Sequence, residues 1–136
     1  MARPPDVAAR SEQGAFRVAN EDAIVADAGR HLFAVVDGMG GRPCGAEAAA
    51  LVARIVDQSC RGRPSLSVLG DAMSRAHQAL VDQSQRHAHA RNMASVATVA
   101  WVDTIMYRVA ISHIGDTRVL VLDRAVDQLP KLSFEG

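Results

Sequence analysis

The chain has 136 residues, of which 49% are apolar and 22% charged, a balance typical of one soluble globular domain. Fifteen basic residues balance fifteen acidic ones, so no net charge draws the chain to nucleic acid or to an anionic membrane. Two cysteines are too few for a disulfide framework, and no apolar run reaches the ~20 residues that cross a bilayer. Together these features favour a cytoplasmic protein.

The N-terminal region predicts a lead-in followed by short strands. Residues 1–13 are polar and contain two prolines, which is typical of a flexible lead-in to a domain that covers 14–136. Residues 16–19 and 23–26 have strand propensity, and residues 31–36 form a compact apolar run. Such a run, bounded by turn residues, predicts a buried strand.

A glycine-rich loop and two helices are predicted in the middle of the chain. Glycines recur between residues 38 and 45, where regular structure is not expected. From 46 to 60, apolar residues return every three or four positions, which indicates an amphipathic helix. A second helix is predicted from Ser65 or Ser67, as N-cap, to about Arg86.

The last third of the chain has the composition of strands. Residues 93–102, 106–114 and 119–122 are rich in valine, isoleucine and threonine, with predicted turns at 102–104 and 115–117. Strands, two helices and further strands predict an α+β domain, with the helices packed on a mainly antiparallel sheet.

Three predicted turns carry carboxylates, at residues 20–22, 37–38 and 115–118. Asp37 directly follows an apolar strand, where a carboxylate is costly unless it is paired or bound to a metal. Hard cations such as Mg²⁺ and Mn²⁺ prefer oxygen ligands, and neighbouring glycines let backbone carbonyls approach an ion. From the residues alone, a metal site is only one possibility, and a plain Asp-Gly turn and an Asp116–Arg118 ion pair are the favoured interpretations.

Four motifs, in this order, resemble the N-terminal part of the protein phosphatase 2C (PPM-type) family. They are Arg-Val-Ala-Asn-Glu-Asp at 17–22, Leu-Phe-Ala-Val-Val-Asp-Gly-Met-Gly-Gly at 32–41, Gly-Ala-Glu-Ala-Ala at 45–49 and His-Ile-Gly-Asp-Thr-Arg at 113–118. The resemblance runs from about residue 11 to 129 and implies part of a four-layer α-β-β-α sandwich with mainly antiparallel sheets. It also implies hydrolysis of phosphoserine and phosphothreonine in proteins by two Mn²⁺ or Mg²⁺ ions and a water between them.

The resemblance assigns metal-binding roles to five residues. Asp37 would bridge both ions, and Gly38 would give its backbone carbonyl to one of them. Glu21 would ligate that same ion, and Asp22 would orient the waters around it. Asp116 would help to hold a third, weaker ion.

The resemblance also defines the expected substrate contacts. Arg17 would clamp the substrate phosphate through its guanidinium group. Met39 stands where some members carry a histidine proposed as a general acid, and a thioether cannot donate a proton. The expected partner is a phosphoprotein substrate, with neither nucleic acid nor membrane.

The chain departs from the family pattern in two places. Residues 93–98 lack the usual Gly-(Ser/Thr)-Thr, which removes no ligand. The match dissolves over 128–136, before two further family aspartates, so a truncated domain with impaired catalysis and some self-association through unpaired sheet edges is expected. The alternatives are a non-catalytic remnant that acts as a binding module, and a small divalent-cation-binding domain.

Three histidines and the tryptophan are expected to be structural. His87 and His89 are predicted on a solvated face, while His113 and Trp101 are predicted in the packed core.

Overall fold

The computed structural model describes residues 6–40 and 44–122. Within them, four antiparallel strands form one sheet in the order β1-β2-β3-β4, and two α-helices lie between β2 and β3. The elements are β1 (Asp22–Asp27), β2 (Leu32–Met39), α1 (Cys44–Ser59), α2 (Leu66–Arg86), a 3-10 helix (Ala88–Ala90), β3 (Ala94–Asp103) and β4 (Arg108–Ile114). The described residues contain no helix with the length and apolarity needed to cross a bilayer.

One face of the sheet, the helix face, packs against α1 and α2. Alternate residues of β2 and β3 point to it because successive side chains in a strand point to opposite faces. They are Leu32, Ala34, Val36, Ala97, Val99 and Trp101, each no more than 4% exposed. Ala48 and Ala49 of α1 are fully buried against this face, and their small side chains let the helix lie close to the sheet.

The opposite side, the outer face, carries a different set of alternate residues. In the middle it is apolar, and at the end nearest α1's first turn it becomes acidic. The apolar members are Ile24, Ala26, Phe33, Val35 and Ala100, and they line a groove of about 530 Å³ beneath residues 6–10 and 118–119.

Arg30 ties the β1–β2 hairpin to the C-terminal end of α1. Its guanidinium donates to the Asp57 carbonyl at 2.9 Å and forms ion pairs with the carboxylates of Asp27 and Asp57. The Arg30 carbonyl accepts a 3.0 Å hydrogen bond from the Trp101 indole, so the same residue also fixes the core tryptophan. The Asp57 carbonyl, one of the last four of α1 that lack partners inside the helix, is satisfied in this way.

The helices and the core tryptophan agree with the sequence predictions. α2 is capped by Ser65, whose hydroxyl accepts from the Val68 N–H, and α1 begins at Cys44, two residues before its predicted start. Trp101 is fully buried, and both cysteines are buried free thiols. The predicted α+β class is confirmed for the described residues.

Two strand predictions and one turn prediction were wrong. Residues 16–19 form no strand: the Arg17 N–H instead donates to the Gly14 carbonyl in a turn, and Phe16 is fully exposed. Residues 119–122 form no strand either. The predicted turn at Asp37-Gly38 is part of β2, because β1 and β3 pair with it on both sides. The predicted divergence over 128–136 lies outside the described residues.

Candidate active site

Two aspartates lie side by side at the acidic end of the outer face. Antiparallel pairing of β1 with β2 sets Asp22 opposite Asp37, so both side chains emerge on the same face. Partial desolvation raises the pKa of Asp37, and the Asp22 and Asp116 carboxylates raise it further, although the side chain still reaches solvent. Like charges held this close favour a proton or a cation between them.

Arg17 and Asn20 lie beside this carboxylate pair. The Arg17 guanidinium opposes the neighbouring carboxylates by lowering the pKa of Asp37. Asn20 accepts the Asp22 backbone N–H at 3.0 Å through its side-chain oxygen, and its amide donates to the Ser11 hydroxyl at 2.8 Å. This Asx turn sets the direction in which Asp22 enters β1.

Glycines bring three backbone segments together next to Asp37. The Gly38 N–H donates to the Glu21 carbonyl at 2.9 Å, and a Cβ on Gly38 would lie 1.8 Å from the Gly45 carbonyl oxygen. A Cβ on Gly45 would in turn lie 2.6 Å from the Glu21 carboxyl carbon. The Glu21 carboxylate therefore rests against the first turn of α1, beside the Gly38 backbone.

Asp116 reaches the site from the turn after β4. Gly115 has φ 96°, and a Cβ there would lie 2.2 Å from a Val96 side-chain carbon, so the turn rests directly on Val96. Val96 is the register partner of Asp37 in β3, which accounts for the electrostatic contact between Asp116 and Asp37.

The predicted site residues all lie at this end of the sheet, and the oxygen atoms of the acidic ones and of the Gly38 carbonyl suit a hard divalent cation. Asp22, Asp37, Asp116 and Arg17 interact, and Glu21 and Gly38 are adjacent in the backbone contact described above. The carboxylates and the Gly38 carbonyl all offer oxygen ligands, which Mg²⁺ and Mn²⁺ prefer. Within residues 6–40 and 44–122, however, no three acidic, histidine or cysteine side chains are arranged to hold an ion.

Sequence reasoning missed a polar cluster at the edge of the site. Thr98 is 4% exposed on β3, and its hydroxyl lies 2.7 Å from the His113 Nδ1 and contacts the Thr117 hydroxyl. His113 is exposed on the outer face, so the predicted core placement was wrong: its register opposite Thr98 directs it away from the helices. His87 and His89 are exposed, as predicted.

Comparison with known proteins identifies the family. A sequence model of protein phosphatase 2C matches residues 13–133. The chain belongs to the protein phosphatase 2C family. It is 32% identical, over 131 residues, to the serine/threonine protein phosphatase PstP of Mycobacterium tuberculosis, in both strain CDC 1551/Oshkosh and strain H37Rv.

Solved structures show the same family fold. The crystal structure of the M. tuberculosis phosphatase PstP/Ppp matches with a TM-score of 0.71 at 30% identity, over 79% of this chain and 45% of that one. The PstP catalytic domain in complex with two manganese ions matches with a TM-score of 0.70 at 30% identity, over 79% and 46%. This protein phosphatase 2C chain spans 24% of the length of the curated PstP relatives.

Proposed function

We propose that this chain provides the Asp37 side of a two-cation centre that hydrolyses phosphoserine and phosphothreonine in proteins. The observation that carries the proposal is the placement of Asp22, Asp37 and Asp116 at one end of a family fold, with Arg17 beside them. The PstP catalytic domain solved with two manganese ions supports Mn²⁺, or the chemically similar Mg²⁺, as the cation.

Each residue has a distinct task in this proposal. Asp37 would hold the cations through its carboxylate, and Gly38 would offer its backbone carbonyl. Glu21 would add a further carboxylate ligand, and Asp22 would accept hydrogen bonds from the water around the cations. Asp116 would help to hold a third, weaker cation.

Arg17 would orient the substrate. Its exposed guanidinium, turned towards the carboxylates, can take two phosphate oxygens at once and hold phosphorus in front of Asp37. When bound, the cations supply Lewis acidity, which makes water nucleophilic at neutral pH and neutralises charge on the phosphoryl oxygens. Met39 is a thioether and donates no proton to the leaving group.

We further propose that the chain by itself binds cations weakly and turns over slowly. The described acidic side chains do not surround an ion, so a cation at Asp37 lacks ligands on one side. Losing only the groups that orient metal ligands already costs about 10- to 100-fold in metal affinity or activity. The alternative function, a cation-binding module without turnover, would use the same acidic residues around Asp37.

The test compares wild type with Asp37→Asn and with Asp71→Asn, an exposed aspartate on α2 that serves as a matched control. We expect weak Mn²⁺ binding by calorimetry in wild type and Asp71→Asn, and none in Asp37→Asn. Turnover of p-nitrophenyl phosphate and a phosphothreonine peptide in excess Mn²⁺ should be low and should disappear in Asp37→Asn. Equal Mn²⁺ affinity in wild type and Asp37→Asn would overturn the proposal. Binding that depends on Asp37 without any turnover would favour the cation-binding module.

A further inference from the structure

A small hydroxyl–imidazole cluster connects β3, β4 and the turn that carries Asp116. Thr98 contributes the only buried polar side chain of the described residues. Its hydroxyl contacts the His113 Nδ1 at 2.7 Å and the Thr117 hydroxyl, and Thr117 lies 3.3 Å from the same ring nitrogen. Because a buried hydroxyl without a partner is destabilising, Thr98 binds the two residues that flank the turn.

The turn that carries Asp116 contacts β3 on both sides of Asp116. Before Asp116, Gly115 rests on Val96, and directly after it, Thr117 is hydrogen-bonded to Thr98. Val96 and Thr98 both belong to β3, two residues apart and on the same face. Their register partners in β2 are Asp37 and Val35. A residue fixed on both sides to one strand keeps its backbone at a constant height above that strand, which limits the positions that its carboxylate can reach.

We infer that Thr98, His113 and Thr117 are positioning residues that hold the Asp116 carboxylate beside Asp37 and thereby set the affinity of the site for a divalent cation. The claim about cation affinity rests on the proposed function, whereas the claim that the cluster holds the Asp116 turn in place does not require a cation. Asp116 is exposed, and in the described residues its turn contacts the sheet through Gly115 and Thr117. Without the hydroxyl contact, the carboxylate would sample many positions and bind an ion less tightly.

The first measurement concerns the protein without metal. In Thr117→Val and Thr98→Val, the backbone order parameter of Asp116 from ¹⁵N relaxation should fall from about 0.85 to below about 0.6. It should stay high in Thr117→Ser, which keeps the hydroxyl, and in Thr104→Val, which alters a threonine beyond the opposite end of β3. Thr117 is only partly buried, so its valine variant is informative even if Thr98→Val does not fold. An unchanged Asp116 order parameter in the folded valine variants would overturn the inference.

The second measurement uses Mn²⁺ alone, followed by calorimetry. Thr117→Val should weaken Mn²⁺ binding by about tenfold or more, and Thr117→Ser should restore it. Combining Asp116→Asn with Thr117→Val should weaken binding no further than Asp116→Asn alone, because Thr117 acts through Asp116. If Asp116→Asn weakens Mn²⁺ binding, a loosened turn with unchanged Mn²⁺ affinity would overturn the positioning role. If Asp116→Asn binds Mn²⁺ as tightly as wild type, the affinity claim itself is overturned. Wild-type protein that binds no Mn²⁺ would instead overturn the proposed function and the affinity claim, while the order parameters would still decide whether the cluster holds the turn.

Discussion

At the scale of single residues, the tightest constraint in the site is the absence of a side chain at Gly38. The space for its Cβ is occupied by the Gly45 carbonyl oxygen, 1.8 Å away, and the Glu21 carbonyl oxygen, 2.9 Å away. Both obstacles are backbone atoms, which cannot rotate out of the way as a side chain could. Any other residue at position 38 must push α1 away from β2.

Gly38→Ala should therefore destabilise the fold by about 3 kcal/mol or more, the upper end of the usual cost of overpacking. Gly70→Ala is the control with the opposite sign, because Gly70 lies inside α2 with open space around its Cβ position. Alanine there should stabilise the fold by about 0.5–1 kcal/mol. Urea unfolding without metal measures both changes, and a Gly38→Ala protein as stable as wild type would show that α1 can shift freely.

The ion pair at the hairpin turn makes stability depend on pH. Hydrogen bonds from the Arg30 backbone N–H and guanidinium hold the pKa of Asp27 below its ordinary value. A carboxyl whose folded pKa is lowered stabilises the fold above its unfolded pKa of about 4, and this stabilisation is lost as the pH falls through the folded pKa. Hydrogen bonds from the Met106 and Ile105 N–H groups also lower the pKa of Asp103, so Asp103 likewise loses its stabilising effect as the pH falls. The pKa of Asp37 is raised, so protonation of Asp37 at low pH favours the folded state instead.

We expect the urea midpoint of wild type to drop between pH 7 and pH 3, and to drop less in Asp27→Asn. The asparagine keeps an oxygen for the Arg30 N–H but loses the charge that titrates. Asp71→Asn, on the exposed side of α2, should retain the full wild-type drop. The same drop in all three proteins would assign the acid sensitivity to other groups.

At the scale of elements, patterns that arise within one helix were predictable from the sequence. The apolar spacing in α1 and the Ser65 cap of α2 placed both helices to within about two residues. Strands depend on neighbours that a sequence does not display. Residues 119–122 have strand composition, yet they pair with no strand in the described chain, and β propensity without a partner is not enough. At Asp37-Gly38, pairing on both sides overrode the turn propensity.

The same distinction explains what the sequence predicted about the site. Asp37, Gly38 and Asp116 stand in local motifs that can be read from consecutive residues. The contact of Thr98 with His113 and Thr117 spans 15 and 19 residues and depends on the register of β3 with β4. A one-residue shift in that register would send Thr98 and His113 to different faces, so no local pattern could have revealed the cluster.

At the scale of the whole molecule, the outer face leaves apolar surface accessible. Val35 in its centre is 45% exposed, and the neighbouring apolar residues line an open groove. The edge strands β1 and β4 have no second partner among the described residues, and the formal charge is zero. Each of these features favours association between copies of the chain.

The chain should therefore self-associate through the outer face, and the average mass in sedimentation velocity should rise with protein concentration. Val35→Lys should shift the equilibrium towards monomer by placing a charge in the apolar patch. Leu66→Lys, at the exposed start of α2 on the other side of the molecule, should have little effect. If Leu66→Lys reduces association as strongly as Val35→Lys, the helices and not the sheet form the contact.

The placement of α1 and α2 between β2 and β3 also sets the order in which the chain can fold. Pairing Gly38 with Ser95 closes a loop that contains both helices, whereas the β1–β2 hairpin closes over four residues, 28–31. Closing a longer loop costs more entropy, so the hairpin and the helix pair are expected to form before the central strand pair joins. In pulse-labelled hydrogen exchange, amides of the β1–β2 pair should become protected before those that join β2 to β3. Simultaneous protection would mean that the sheet assembles in one step. Since Asp116 reaches Asp37 only across β3, the acidic end of the sheet would be the last part of the molecule to take shape.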